Sequence, residues 1–116
     1  MVINRFQELL AWQKAHLLTL NLYRILNQSK EYTLKDQLLR ASLSIMNNIA
    51  EGFERKSDKE FNYFLRVGKG SCAEVRSMLI LASDLEILDE KDFRTNYELS
   101  VETTKLIIGL IKKLKT

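Results

Sequence analysis

Apolar residues recur along this chain at spacings of three and four, and the recurrence breaks at only three short polar clusters. The intervals predict four long helices, over about residues 7–26, 33–55, 58–86 and 90–114. In the first, Ala11, Ala15, Leu18, Leu22 and Leu26 share a face, and Asn27, Gln28 and Ser29 end the pattern. The second is expected to start with Thr33 as N-cap, three residues before Asp36, and to bury Leu34, Leu38, Ala41, Ile45, Ile49 and Gly52. Ser57 followed by Glu60 has the form of a capping box. It opens a third helix in which Phe61, Leu65, Gly68, Cys72, Val75, Leu79 and Ala82 alternate spacings of four and three, as a bundle seam requires. Asp89 and Asp92 start the fourth, with an expected core stripe of Phe93, Tyr97, Val101, Thr104, Ile108 and Ile111. Its terminal Lys112, Lys113 and Lys115 suit the negative end of the helix dipole. Connections this short make successive helices antiparallel, so the expected fold is a single all-α domain, an up-down-up-down four-helix bundle over residues 1–116.

The second helix carries more apolar surface than one core face needs. Leu39, Leu43, Met46, Ala50 and Phe53 form a second stripe, rotated by about 100° from the first. That stripe is expected to be an oligomer interface, with Leu39, Leu43, Met46 and Phe53 at its centre. The competing reading is that neighbouring helices absorb it within one chain. The remaining face is polar: Gln37, Arg40, Ser44, Asn48 and Glu51, followed by Arg55. Folding the hairpin about position 57 sets Arg40 level with Glu74, Ser44 with Gly70 and Ser71, and Asn48 close to Arg66. An interhelical polar network through Gln37, Arg40, Ser44, Asn48, Glu51, Ser71 and Glu74 follows, with an Arg40–Glu74 ion pair that sets register.

Composition narrows the chemistry. There is no proline to interrupt a helix, and 46% hydrophobic residues suffice for a core. The single cysteine, Cys72, excludes an internal disulfide and fits a reducing, cytoplasmic setting. No stretch reaches the ~18 uncharged apolar residues of a membrane span, and Arg5 and Glu8 interrupt the apolar residues of Met1 to Leu10, so neither membrane insertion nor export is expected. The one histidine, His16, follows Gln13 where a di-iron bundle would need Glu, so no metal or cofactor site is expected. Cys72 lies on the apolar seam without a base, and Gly68 and Gly70 lack the residues of a phosphate loop, so no catalytic residue is assigned and no enzyme is expected.

Net charge is +3, a mild excess. Its distribution is more informative. Lys59, Asn62, Arg66, Lys69 and Arg76 share one face of the third helix with no acidic residue among them. With Lys14 and Arg24 on the first helix, they form the candidate nucleic-acid surface; Lys105, Lys112, Lys113 and Lys115 extend the field. Such a surface binds phosphates, in a salt-sensitive and weakly sequence-specific way. Tyr63 alone stands near it as a stacking residue. Assembly multiplies the charge. The alternative reading is a scaffold or regulator that binds only protein, with no nucleic-acid role.

The run Gln37, Arg40, Ala41, Ser44, Ile45, Asn48, Ile49, Ala50, Glu51, Gly52 resembles the Q-x-x-R-A-x-x-S-I-x-x-N-I-A-E-G signature of a bacterial four-helix-bundle family. That family is encoded in intervening sequences of large-subunit ribosomal RNA genes and carries a ribosomal-protein-like name. Arg55, Phe61, Phe64, Leu65, Gly70, Ser71 and Glu74 continue the likeness. Phe6, Leu9, Trp12, Gln13, Lys14 and Ala15 are similar to its F-x-x-L-x-x-W-Q-K-A opening. The chain departs from the family's aromatic-proline pair between the first two helices, having Asn27 to Tyr32 without proline. The resemblance implies a bundle similar to the accessory variability protein of diversity-generating retroelements: a homo-oligomeric, pentameric ring that binds RNA or DNA and partners a reverse transcriptase or another RNA-associated protein.

Overall fold

A computed structural model describes residues 2–115 and contains four α-helices: α1 (Leu10–Leu26), α2 (Tyr32–Phe53), α3 (Asp58–Asp84) and α4 (Glu90–Lys113). A 3-10 turn, Phe6–Glu8, precedes α1. It takes the first residues expected in that helix, and the Gln13 side chain donates to the Gln7 carbonyl at 2.9 Å to hold the turn against α1. The body is 43 × 23 × 20 Å, as four helices of 17–27 residues lying side by side require. Each helix packs on two neighbours, α1 on α2 and α4, and α3 on α2 and α4; α1 and α3 lie on the diagonal, with their backbones apart.

Local chemistry explains the helix starts. The Ser57 hydroxyl accepts from the Glu60 N–H at 3.1 Å and donates to the Glu60 carboxylate, and Asp89 accepts from the Asp92 N–H at 2.7 Å. Both expected caps are therefore present. Thr33 is not one: α2 begins at Tyr32, with Glu31 in the cap position and no side-chain cap bond. The connection before it is closed instead by the Ser29 hydroxyl, which accepts from the Glu31 N–H. α3 stops at Asp84, two residues early, because Ile87 N–H reaches back to the Ala82 carbonyl and Glu86 N–H to Ser83. That Schellman closure puts Glu86 at φ 60°, a conformation that usually calls for glycine.

The core matches the expected stripes on α1, α2 and α3, where Leu18, Leu22, Leu38, Ile45, Ile49, Leu65, Val75 and Leu79 are fully buried. α4 departs from expectation. It buries Asn96, Ser100, Thr103 and Ile107, one position off the apolar stripe of Tyr97, Val101, Thr104 and Ile108, and so rotated by about 100°. Polar residues occupy that inner face because each finds a partner. Asn96 donates to the Asp92 carbonyl and accepts from Asn21, Ser100 donates to the Cys72 carbonyl, and Thr103 donates to the Leu99 carbonyl.

Candidate nucleic-acid interface

Of the six expected cations, three form a common exposed surface. Lys59, Arg66 and Lys69 stand on the outward side of the first half of α3, and none has an ion-pair partner among the described residues. Arg66 Nε donates to Asn62 Oδ1 at 3.1 Å, which steadies the side chain while leaving its terminal nitrogens available. Tyr63 is 63% exposed between Lys59 and Arg66. Rising 1.5 Å per residue, Lys59 to Lys69 spans about 15 Å along the helix.

The other three are placed differently. Arg76 is half-buried, with its Nη1 donating to Ser100 Oγ at 3.2 Å and Thr104 Oγ1 at 2.8 Å; it ties α3 to α4. Lys14 is paired with Glu102 at 3.2 Å. Arg24 is exposed and unpaired near the end of α1, whereas the α3 cations lie near that helix's start. Arg76 therefore departs from the expected stripe, because spacing puts it on the flank that turns into the α3–α4 seam. Sequence spacing also leaves unseen how the C-terminal lysines relate to α3. Lys115 N–H donates to Asp58 Oδ2 at 3.0 Å, which brings the end of α4, with Lys112 and Lys113, to the start of α3 beside Lys56 and Lys59.

The polar face of α2 is partly a network. Ser71 Oγ donates to Ser44 Oγ at 2.9 Å across the hairpin, as expected, and Asn48 Nδ2 donates to Ser44 at 2.8–3.0 Å. The expected Arg40–Glu74 ion pair is absent. Both side chains are exposed and flank a cleft of about 150 Å³ with Gln37 and Met78, where each stays solvated. Asn48 and Arg66 share no hydrogen bond: Asn48 donates to Ser44 and Arg66 to Asn62, each within its own helix. Glu51 pairs with Arg55 at 2.7 Å, and Arg55 also lies over the Phe64 ring.

The second apolar stripe of α2 is not a bare face. Leu39 is buried, Leu43, Met46, Ala50 and Phe53 are half-buried, and Met46 and Phe53 pack on the core. α1 leans over this side: Thr19 donates to the Ser42 carbonyl, and Tyr23 shares a shallow cleft with Leu39 and Leu43. Phe53 is closed off by Phe61 in an edge-to-face contact at 6.1 Å. Apart from Val2 and Tyr32, the first residue of α2, the exposed large apolar side chains lie on α1, on α3 or, for Leu85, just past the end of α3.

Neither Cys72 nor His16 stands in an open site. Cys72 is fully buried, which raises its thiol pKa, while the Thr104 hydroxyl and the Arg76 charge pull the other way. His16 is half-buried and stacks on Trp12 at 4.8 Å. No helix among the described residues is long and apolar enough to cross a membrane.

A model of the 23S rRNA-intervening sequence protein family matches residues 7–109. The chain belongs to that family. Its structure is similar to a crystal structure of a protein of unknown function from the S23 ribosomal protein family of Bacteroides thetaiotaomicron, with TM-score 0.82 and 28% identity. The similarity covers 90% of this chain and all of that one. No curated protein matches the chain. The matched span of the intervening-sequence family runs from the 3-10 turn to the last turns of α4, so it takes in the basic half of α3, the polar face of α2 and all four seams.

Proposed function

We propose that this intervening-sequence protein is a non-enzymatic, homo-oligomeric RNA-binding bundle, which engages structured RNA through phosphates at Lys59, Arg66 and Lys69. The observation that carries the reading is that these three cations are exposed, unpaired and on one side of α3, at the end of the molecule where Lys112 and Lys113 also arrive. Point charges on a convex helix recognise phosphate positions rather than base edges. The family's name, which ties its genes to 23S rRNA, supports RNA over DNA. An up-down-up-down arrangement is supported by paired contacts that climb one helix as they descend the next: Gly52 with Phe61 and Phe64, and Ser44 with Ser71. A pentameric ring and a reverse transcriptase or similar RNA-associated partner rest on the likeness to the retroelement accessory protein, and a cytoplasmic location rests on the single cysteine, Cys72.

The test is a salt titration of RNA affinity for the Lys59→Glu, Arg66→Glu, Lys69→Glu triple variant against the wild type. Loss of three phosphate contacts flattens the slope of log affinity against log salt by about 2 to 3. An Arg76→Gln variant serves as contrast, with reduced stability and an unchanged slope. Equal slopes for the triple variant and the wild type would overturn the assignment, and retained capture of a protein partner would then favour the scaffold reading. Equal competition by duplex DNA would remove the preference for RNA.

A further inference from the structure

Val2, Leu10, Tyr32, Tyr63 and Val67 aside, the exposed large apolar side chains fall into two groups whose neighbouring charges are opposite in sign. On α1 they are Leu17, Leu20 and Tyr23, 37–47% exposed, beside the unpaired Arg24; α1 contains no acidic residue. On the last turns of α3 and just past its end they are Ile80, Leu81 and Leu85, 46–54% exposed, beside Asp84 and Glu86, with no cation between Ser77 and Glu90. Neither acid has an ion-pair partner among the described residues. Asp84 sits in the final helical turn, where the helix dipole disfavours negative charge, so the fold of one chain gives no reason for an acid there.

The two patches cannot meet within one molecule, because α1 and α3 occupy diagonal corners of the bundle and these exposed side chains point away from the shared core. They do lie at one level along it. Asn21 bonds Asn96, and Arg76 reaches Ser100 and Thr104, so residues near 20 on α1 and near 80 on α3 both flank the first half of α4. We infer that the apolar, cationic face of α1 docks on the apolar, acidic face of α3 in a second copy of this chain, with Arg24 opposite Asp84. The contact is heterologous: each copy gives one face and receives another, with bundle axes aligned. Lys59, Arg66 and Lys69 are outside it, so every copy keeps its basic surface at the same end. This rests on the assembly proposed above and moves its interface away from α2.

The test uses the full chain in size-exclusion chromatography with light scattering. The wild type is expected as a multimer, and Leu20→Glu and Leu81→Glu each as a monomer, with helicity retained because both sites are exposed. Each variant keeps one intact face, so their equimolar mixture is expected to form a one-to-one dimer that does not grow further. The swap Arg24→Glu with Asp84→Arg is expected to restore a multimer that either change alone weakens. A mixture that stays monomeric, or single variants that keep the wild-type mass, would overturn this interface while leaving assembly itself standing. A monomeric wild type would overturn both.

Discussion

Where α2 meets α3, the backbones are let together by a missing side chain: a Cβ on Gly52 would stand 2.7 Å from Phe64 Cβ and 2.9 Å from the Phe61 ring. Where α4 meets α1 and α3, the contact runs through hydrogen bonds: Asn21 to Asn96, Ser100 to the Cys72 carbonyl, and Arg76 to Ser100 and Thr104. The first seam is registered chiefly by shape, with the Ser71–Ser44 hydrogen bond beside it, and the second by polar pairing. Steric register tolerates no added volume, whereas polar register tolerates no lost partner. Among the described residues no buried side-chain nitrogen or oxygen is left without a partner, so the polar seam is complete.

The largest effect is expected from filling the steric seam. Gly52→Ala should cost about 2 kcal/mol, in the range for overpacking a tight core, because Phe64 Cβ belongs to a backbone-anchored atom that cannot swing away. Gly68 is the internal control. A Cβ there meets the Ile45 carbonyl oxygen at 3.6 Å, an ordinary contact, so Gly68→Ala should be neutral or gain up to about 1 kcal/mol from helix propensity. Urea unfolding of the two variants measures the difference. Equal midpoints would remove the steric account of this seam.

A smaller effect is expected from the polar seam. Asn96 is 1% exposed, and Asn96→Ala deprives the Asn21 amide of its acceptor while opening a small void, for a cost of about 1.5 kcal/mol. Asn21 is half-buried, so Asn21→Ala should cost less. The pair belongs to one interaction, and the double variant should fall short of the two single costs by about 0.5 to 1 kcal/mol. Strict additivity would show that the amide pair does not couple α1 to α4.

The contrast between the seams also separates what the sequence disclosed from what it hid. Along α1, α2 and α3 the inner residues are apolar except for Thr19, Ser42 and Ser71, so spacing found the core: Ala15, Leu18, Ile45, Leu65 and Leu79 are all fully buried. On α4 the inner residues are polar, and a search for apolar spacing settled on the neighbouring face. The same limit governs the site. Spacing placed Lys59, Arg66 and Lys69 together, but it gave no sign that Arg76, one flank over, turns inward to Ser100, nor that Lys14 meets Glu102 on another helix. Both depend on partners distant in the chain. The stripe of Leu39, Leu43, Met46 and Phe53 was legible as apolar, while the side of α2 that α1 covers was not. Glu86 in a left-handed turn left no sequence signal, because the usual glycine is absent.

Cys72 lies between the two kinds of seam, on the apolar stripe of α3 but against Ser100 and Thr104 of α4, and it carries the smallest expected effect. Burial raises its thiol pKa above the ordinary 9.0, with Thr104 and Arg76 only partly opposing. Below that value the thiol is neutral in both folded and unfolded chains and contributes nothing to pH dependence. As pH rises past it the unfolded chain loses the proton first, so the folded state binds more protons and stability falls. The loss should reach at most about 1 kcal/mol at pH 9.5. The readout is the difference between wild type and Cys72→Ala in urea unfolding at pH 7 and at pH 9.5. Stability of the wild type should decline further than that of the variant. Parallel declines would mean that the hydroxyl and the guanidinium offset burial fully, and that this position belongs with the polar seam rather than the apolar one.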